Sequence, residues 1–379
     1  MLVESCVRKG TRDGIYSLIS AVSSIRPTHL SSGIMPNHST LFQPPPINPK
    51  RADIENVLEL TNLSKVQSNL FTNTYPLWHP PGARGIYGGT VIAHSLAASQ
   101  HTVPLDFDVH SMHCSFLLAG DSETPIMYAV ELIRDGKSYL TRVVRATQRG
   151  RSIFIATISF MRDNERPEND VVRHVVPLPT GTKPPKEEEE TEFSQESASP
   201  IINCGVEIQN LQSEELHTKR MRRWVKARGR ITDAGGHRTH ANVLAYISDQ
   251  NFIGTVAAIH NLWRFGKPLV EDVSGGDGKG TLVRKLQDYT GYDSDLQNRR
   301  ARREVGMMVS LDHSIYFHEP KSFRADEWIL TDMESPWSGH TRGLAIQKMY
   351  AADGNLIATC IQEGVVRLKK TETSRSSKI

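Results

Sequence analysis

Leu311-Asp312-His313-Ser314-Ile315-Tyr316-Phe317-His318 has a counterpart some 200 residues earlier, Val109-His110-Ser111-Met112-His113, and this pair decides the fold. Working outward, His110-Ser111, Arg142 and Ile155-Ala156-Thr157 recur as His313-Ser314, Arg342 and Ile357-Ala358-Thr359, at offsets of 203, 200 and 202 residues. Offsets this constant leave room for few insertions between the anchors. Both blocks are rich in β-branched residues punctuated by Gly, the signature of successive sheet strands. The chain therefore reads as two tandem copies of one small α+β unit. The copies part company three residues after Ile-Ala-Thr, where the second has Gln362 and the first has Phe160. One polar position and one apolar position at equivalent places point to an enzyme with a single working site.

Length and charge agree with this. A chain of 379 residues accommodates two domains of about 150 residues with tails. The 45 basic and 42 acidic residues leave a net charge of +3, which gives no reason to expect nucleic acid as the main partner. Lys219, Arg220, Arg222 and Arg223 beside Trp224 form a local basic run, which could bind a polyanion but reads more simply as a solvated segment preceding a strand. Cys6, Cys114, Cys204 and Cys360 are far apart, without CxxC or zinc-like spacing, so free thiols in a reducing compartment are expected. No stretch reaches the roughly 18 apolar residues of a membrane span.

Residues 1–50 read as a disordered leader ending in Pro44-Pro45-Pro46. Ser17, Ser20 and Ser23 interrupt its apolar run, making it a poor secretory signal and at best a weak mitochondrial one. The first unit is expected over 51–174. It holds a helix opened by Tyr87-Gly88-Gly89-Thr90 and strands near 109–118, 126–134, 138–148 and 151–162. Arg149-Gly150 is a hairpin signal. A Pro- and Glu-rich linker follows over 175–200. The second unit, 201–370, carries a helix over roughly Ala241 to Trp263, strands near 306–318, 327–335, 341–350 and 355–368, and an insertion at 268–304. Gly278-Lys279-Gly280-Thr281 within that insertion lacks the spacing of a phosphate-binding loop. The tail, 371–379, ends in Ser377-Lys378-Ile379, one Leu-to-Ile change from the Ser-Lys-Leu peroxisomal address. A peroxisomal import receptor is thus an expected partner, with cytoplasm or mitochondrion as the alternatives.

Chemistry is sought in polar residues set where a core is expected. Asp249 lies in Tyr246-Ile247-Ser248-Asp249-Gln250, inside an apolar helical run, and reads either as a site carboxylate, as a cap for a helix starting at Gln250, or as a solvated side chain. Ser310 precedes Asp312-His313-Ser314. On a regular strand it shares a face with Asp312 and Ser314, leaving Val309, Leu311 and His313 on the other. Gln362 interrupts an apolar strand, and its buried amide needs hydroxyl or carboxylate partners.

With Tyr87-Gly88-Gly89, Gly120-Asp121-Ser122, Tyr246-Ile247-Ser248-Asp249, the two His-Ser blocks and Gln362-Glu363-Gly364-Val365 in this order, the chain resembles the type II acyl-CoA thioesterases from about Asp53 to Arg367. The resemblance implies a tandem, or double, hotdog fold in which each unit wraps an antiparallel sheet around a central helix. It implies hydrolysis of acyl-CoA by a homo-oligomer that uses no cofactor and no metal. It also implies that Asp249, Ser310 and Gln362 jointly hold the hydrolytic water. Where bacterial members of the family carry Thr, this chain has Ser310, which keeps the hydroxyl and loses the rotamer restraint of β-branching. No GxSxG elbow occurs, which argues against a covalent serine mechanism. Arg142, Arg145 and Arg342 are candidates for meeting the CoA phosphates.

Two other readings stand beside this one. The first is a non-catalytic acyl-CoA-binding protein. The second is a hotdog enoyl-CoA hydratase, although Gly120-Asp121-Ser122-Glu123-Thr124-Pro125-Ile126-Met127 lacks the Asn and His of that signature.

Overall fold

The structure is a computed structural model that describes residues 39–80, 83–163, 171–186, 199–262 and 303–369. The proposed targeting tripeptide, nearly all of the 268–304 insertion and most of the leader lie outside these residues.

Alternating burial makes the strands. In the first unit, helix α1 (Asp53–Val57) and strands β1 (Leu60–Asn62) and β2 (Leu70–Asn73) precede helix α2 (Gly88–Gln100). Strands β3 (Phe107–Phe116), β4 (Met127–Asp135), β5 (Tyr139–Gln148) and β6 (Arg151–Arg162) follow. In the second, β7 (Ile201–Gln209) and β8 (Arg220–Ala227) precede helices α3 (Gly236–Ser248) and α4 (Gly254–Ile259). Then come β9 (Val305–Ser310), β10 (Asp312–Phe317), β11 (Ile329–Gly339), β12 (Arg342–Ala351) and β13 (Leu356–Leu368).

The strands join into one antiparallel sheet ordered β1-β2-β4-β5-β6-β3-β10-β13-β12-β11-β8-β7, with β9 pairing β13. Read from the middle, the order is a mirror: β3 answers β10, β6 answers β13, and β5 answers β12. The seam is the β3–β10 pair, with Cys114 opposite His313 and Met112 opposite Ile315. Two-residue turns close one hairpin in each unit: Arg149 and Gly150, both at positive φ, join β5 to β6 in the first. His340 and Thr341 do the same in the second, between β11 and β12. Both residues at positive φ match the right-handed twist of the flanking strands.

Each unit folds its sheet over one helix. Helix α2 is buried nearly all round (Val91, Ile92 and Leu96, with small Ala93, Ser95, Ala98 and Ser99 between them), so strands can approach it from several sides. Helix α3 packs directly against α2, and one continuous apolar core from Ile54 to Cys360 serves both units. Cys114, Cys204 and Cys360 are buried, and none of the three forms a disulfide.

Three expectations need correction. The helix expected over Ala241 to Trp263 is broken: α3 ends at Ser248, Asn251 takes φ 56°, and α4 begins at Gly254. Asp249 therefore closes a helix, and no helix starts at Gln250. The strand expected over 306–318 is interrupted at Leu311. There the Leu311 N–H bonds Glu363 O at 2.9 Å and the Phe116 N–H bonds Leu311 O at 2.9 Å, so β9 and β10 are separate. Arg220, Arg222 and Arg223 of the basic run lie within β8 and not before it. Arg220 pairs with Glu334, Arg222 with Asp332 at 2.7 Å, and buried Arg223 donates to Gln250 O. Each of these three guanidiniums is thus engaged within the fold.

Candidate active site

The break after α3 sets Asp249 against the start of α2, where the two units meet. Gly88 and Gly89 are what permit it. A Cβ on Gly88 would lie 2.7 Å from Asp249 Oδ2, and one on Gly89 would strike Tyr246 O and the Tyr87 ring. With no side chain in the way, the Gly89 N–H donates to the Asp249 carboxylate. Tyr87, the N-cap of α2, donates its hydroxyl to Tyr246 O at 2.8 Å and fixes the approach. Amides at a helix start are unpaired donors and carry the positive end of the helix dipole, so they suit a carboxylate.

Gln362 Nε2 donates to Asp249 Oδ1 at 2.8 Å and to His313 Nδ1 at 3.0 Å. Gln362 and His313 are fully buried, whereas the Asp249 side chain is 9% exposed, toward a cleft of about 670 Å³. Ile86, Val91, Phe116, Phe154, Met307 and Met308 are among its lining residues, which makes it a largely apolar groove ending at a carboxylate. Burial pushes the Asp249 carboxyl up to about 7, because loss of hydration outweighs the hydrogen bonds from Gln362 and Gly89. Burial drives His313 down to about 3, so its imidazole is neutral.

Of the three residues singled out in the sequence, Asp249 and Gln362 are in direct contact. Ser310 lines the same cleft and stands opposite Gly364 on β13, two residues along from Gln362. It makes no hydrogen bond to Asp249 or Gln362 among the described residues. His313 was expected on the face away from the site. The kink at Leu311 breaks the alternation and brings it in behind Gln362. The sequence repeat had marked it only as a fold anchor. Arg142 is not free for a phosphate: it is buried and bonds Asp135, Arg134 O, Thr102 O and Thr102 Oγ1. Arg342 pairs with Glu363 at 2.7 Å, while Arg145 is exposed. Asp121, part of the hydratase-like stretch, caps its own loop through the Glu123 N–H and Thr124 hydroxyl.

Among the described residues no group of three His, Cys, Asp or Glu could hold a metal ion, and no helix is long and apolar enough to cross a membrane. Comparisons with known proteins identify the family. Residues 75–161 match the acyl-CoA thioesterase N-terminal domain, and residues 178–366 match the acyl-CoA thioesterase C-terminal domain. Human acyl-coenzyme A thioesterase 8 is 33% identical over 341 residues, covering 84% of this chain and 91% of that protein. The chain belongs to the acyl-CoA thioesterase family. Within that family, the peroxisomal acyl-coenzyme A thioester hydrolase 1 of Saccharomyces cerevisiae is 26% identical over 83% of this chain and 94% of its own length. The crystal structure of acyl-CoA thioesterase II TesB2 from Mycobacterium marinum superposes with a TM-score of 0.57 at 26% identity, covering 84% of this chain and 98% of that one.

Proposed function

We propose that this thioesterase hydrolyses fatty acyl-CoA to free fatty acid and CoA by direct attack of water, with Asp249 as general base and Ser310 and Gln362 positioning the water. The observation that carries the reading is Asp249 itself: a carboxylate at the mouth of an apolar cleft, held by Gln362 and Gly89, with its proton affinity raised to about 7. A base poised there is half-deprotonated near neutrality and can still take a proton, a contribution of about 10²–10⁴-fold. The thiolate leaves readily, so activating and aiming the nucleophile and stabilising the oxyanion are the demanding tasks. The start of α2 adjoins Asp249, and a backbone amide there other than those of Gly89 and Thr90 is the proposed donor for the second. The apolar walls of the cleft suit an acyl chain.

The test is thiol release by the purified chain across saturated acyl-CoAs of increasing length, with Asp249→Asn alongside. The variant is expected to lose at least 10²-fold of the rate, and retention of more than about a tenth of it would discard the mechanism. For the wild type, saturable binding without thiol release would mark a binding protein, and loss of enoyl absorbance a hydratase.

We also propose that the chain is imported into peroxisomes through Ser377-Lys378-Ile379. The peroxisomal naming of the yeast relative supports this. Extending a tagged chain by one residue beyond Ile379 is expected to leave it in the cytosol. Continued punctate import would refute the address.

A further inference from the structure

His313 is buried in the wall behind Gln362 and has two definite partners. Its Nε2 lies 2.9 Å from Ser248 Oγ, and its Nδ1 lies 3.0 Å from Gln362 Nε2. Ser248 Oγ is also 2.9 Å from Ala245 O, one turn back in α3. A hydroxyl has one proton, and a carbonyl can only accept, so Ser248 spends its proton on Ala245 O. Ser248 Oγ must then accept from His313, which places the imidazole proton on Nε2. Nδ1 is left as an acceptor, and an acceptor selects the NH₂ side of the Gln362 amide. The two amide protons go to His313 Nδ1 and Asp249 Oδ1, while Oε1 stays buried with no partner among the described residues.

The opposite flip of Gln362 would need three changes at once. Asp249 would have to carry a proton, since Oε1 would otherwise face a carboxylate oxygen. His313 would have to protonate Nδ1 in place of Nε2. Ser248 would then turn from Ala245 O toward His313. The first of these conditions is met in every turnover, because a general base becomes protonated when water attacks. At that moment the Asp249 charge no longer orients the amide, and the His313–Ser248–Ala245 chain is the constraint that remains.

The duplicated unit gives a contrast. His110, the counterpart of His313, is only half-buried and bonds Ser159 Oγ at 2.8 Å, and the position of Gln362 is filled by Phe160. The imidazole turns inward in the copy that has an amide to hold.

We propose that His313 is a positioning residue that locks the Gln362 amide with Nε2 toward Asp249, so that the base keeps the same N–H donor and the same aim throughout the cycle. This rests on the function proposed above. Steady-state thiol release by the full chain tests it with His313→Leu, Gln362→Ala, their double variant and His313→Asn, whose Oδ1 stands near the place of Nδ1. His313→Leu is expected to lower kcat about 30-fold with KM within about twofold, and to have less than about a twofold effect once Gln362 is already Ala. His313→Asn is expected to stay within about fivefold of wild type.

Additive losses in the double variant, or an Asn variant as slow as the Leu one, would overturn the proposal. If His313→Leu does not fold, imidazole ¹⁵N spectra of the wild type decide: an unprotonated Nδ1 supports the lock, and a proton on Nδ1 sinks it. Unchanged turnover in Asp249→Asn or Gln362→Ala would instead remove the reading of the site, and this proposal with it. Coupling lost while those two variants remain slow would remove only the proposal.

Discussion

At one end of the α2–α3 pair, the start of α2 receives Asp249, the residue that closes α3. At the other end the geometry repeats with different side chains. Both helices have 13 residues, so Gly88 corresponds to Gly236, Gly89 to His237, Thr90 to Arg238 and Asp249 to His101. Arg238 donates to the carbonyls of Gln100, Val103 and Phe107, where α2 finishes, and His237 bonds Asp108. Lys321 joins Asp108 at 3.0 Å and Asp163 at 2.6 Å. An anion-accepting helix start has become a cation-filled helix end. The first arrangement leaves a carboxylate short of water, whereas the second satisfies nearly everything in reach. A chemical site and a structural rivet can thus be made from one scaffold by changing a few side chains.

The sharpest way to break the contrast is to add one methyl group at each end. Gly89→Ala would drive a Cβ into Tyr246 O and the Tyr87 ring, so the start of α2 must move away from Asp249. Activity is expected to fall by about 10²-fold or more, with about 3 kcal/mol of stability. Gly236→Ala meets no atom within 4 Å and suffers only from its backbone, φ 56° and ψ −157°, which side-chain-bearing residues rarely adopt. It should lose about 2 kcal/mol and leave turnover unchanged. Thiol release with parallel urea melts separates these outcomes.

Phe160→Gln asks whether the silent copy needs only an amide. No second activity is expected, since His101 and Arg238 occupy the places of the base and the open helix start. Burying an unpaired amide where a ring had packed should destabilise by about 3 kcal/mol, read from the denaturation midpoint. Arg238→Met is milder. Removing a donor from several carbonyls should lower stability by about 2 kcal/mol with kcat unaltered, and a fall in kcat would show that the two ends are coupled.

The smallest effect concerns pH. The folded carboxyl of Asp249 titrates at about 7, above its ordinary 3.8, so the fold binds that proton more tightly than the unfolded chain does. Stability from this group is full below about pH 3.8 and is lost as pH rises through 7. The upper bound is about 4 kcal/mol. Asn at this position would turn an NH₂ toward Gln362 Nε2 or the Gly89 N–H and forfeit most of it. Asp249→Asn is therefore expected to be inactive and about 1 kcal/mol more stable at pH 8, with the gain disappearing near pH 5. In the wild type, kcat/KM should rise with pH around a midpoint near 7 as the base loses its proton. A flat profile between pH 6 and 8 would contradict the assignment.

What could be read in advance follows from how local each cause is. Strands β3 to β6 were expected within two residues of their bounds because their burial alternates along the chain itself. Gln362 stood out for the same reason, as an amide in an apolar register. The end of α3 could not be read, because Phe252, Ile253 and Val256 continue the apolar pattern beyond it. The break is held by Arg223, a strand away, bonding Gln250 O. The inward turn of His313 depends on the kink at Leu311, held by β3 and β13. Arg142 looked like a surface cation because nothing nearby in sequence announces the Thr102 and Asp135 that enclose it. In each case the deciding partner is a backbone or side-chain group from another element.

The seam between β3 and β10 has a consequence for how such a protein can change. Were the two units separate copies of one chain meeting in a symmetric pair, every substitution would appear twice, and a change that improved one end would be imposed on the other. Joined in a single chain, the halves vary independently. One is free to keep an uncomfortable carboxylate while its twin takes on ballast, and specialisation becomes a matter of single substitutions.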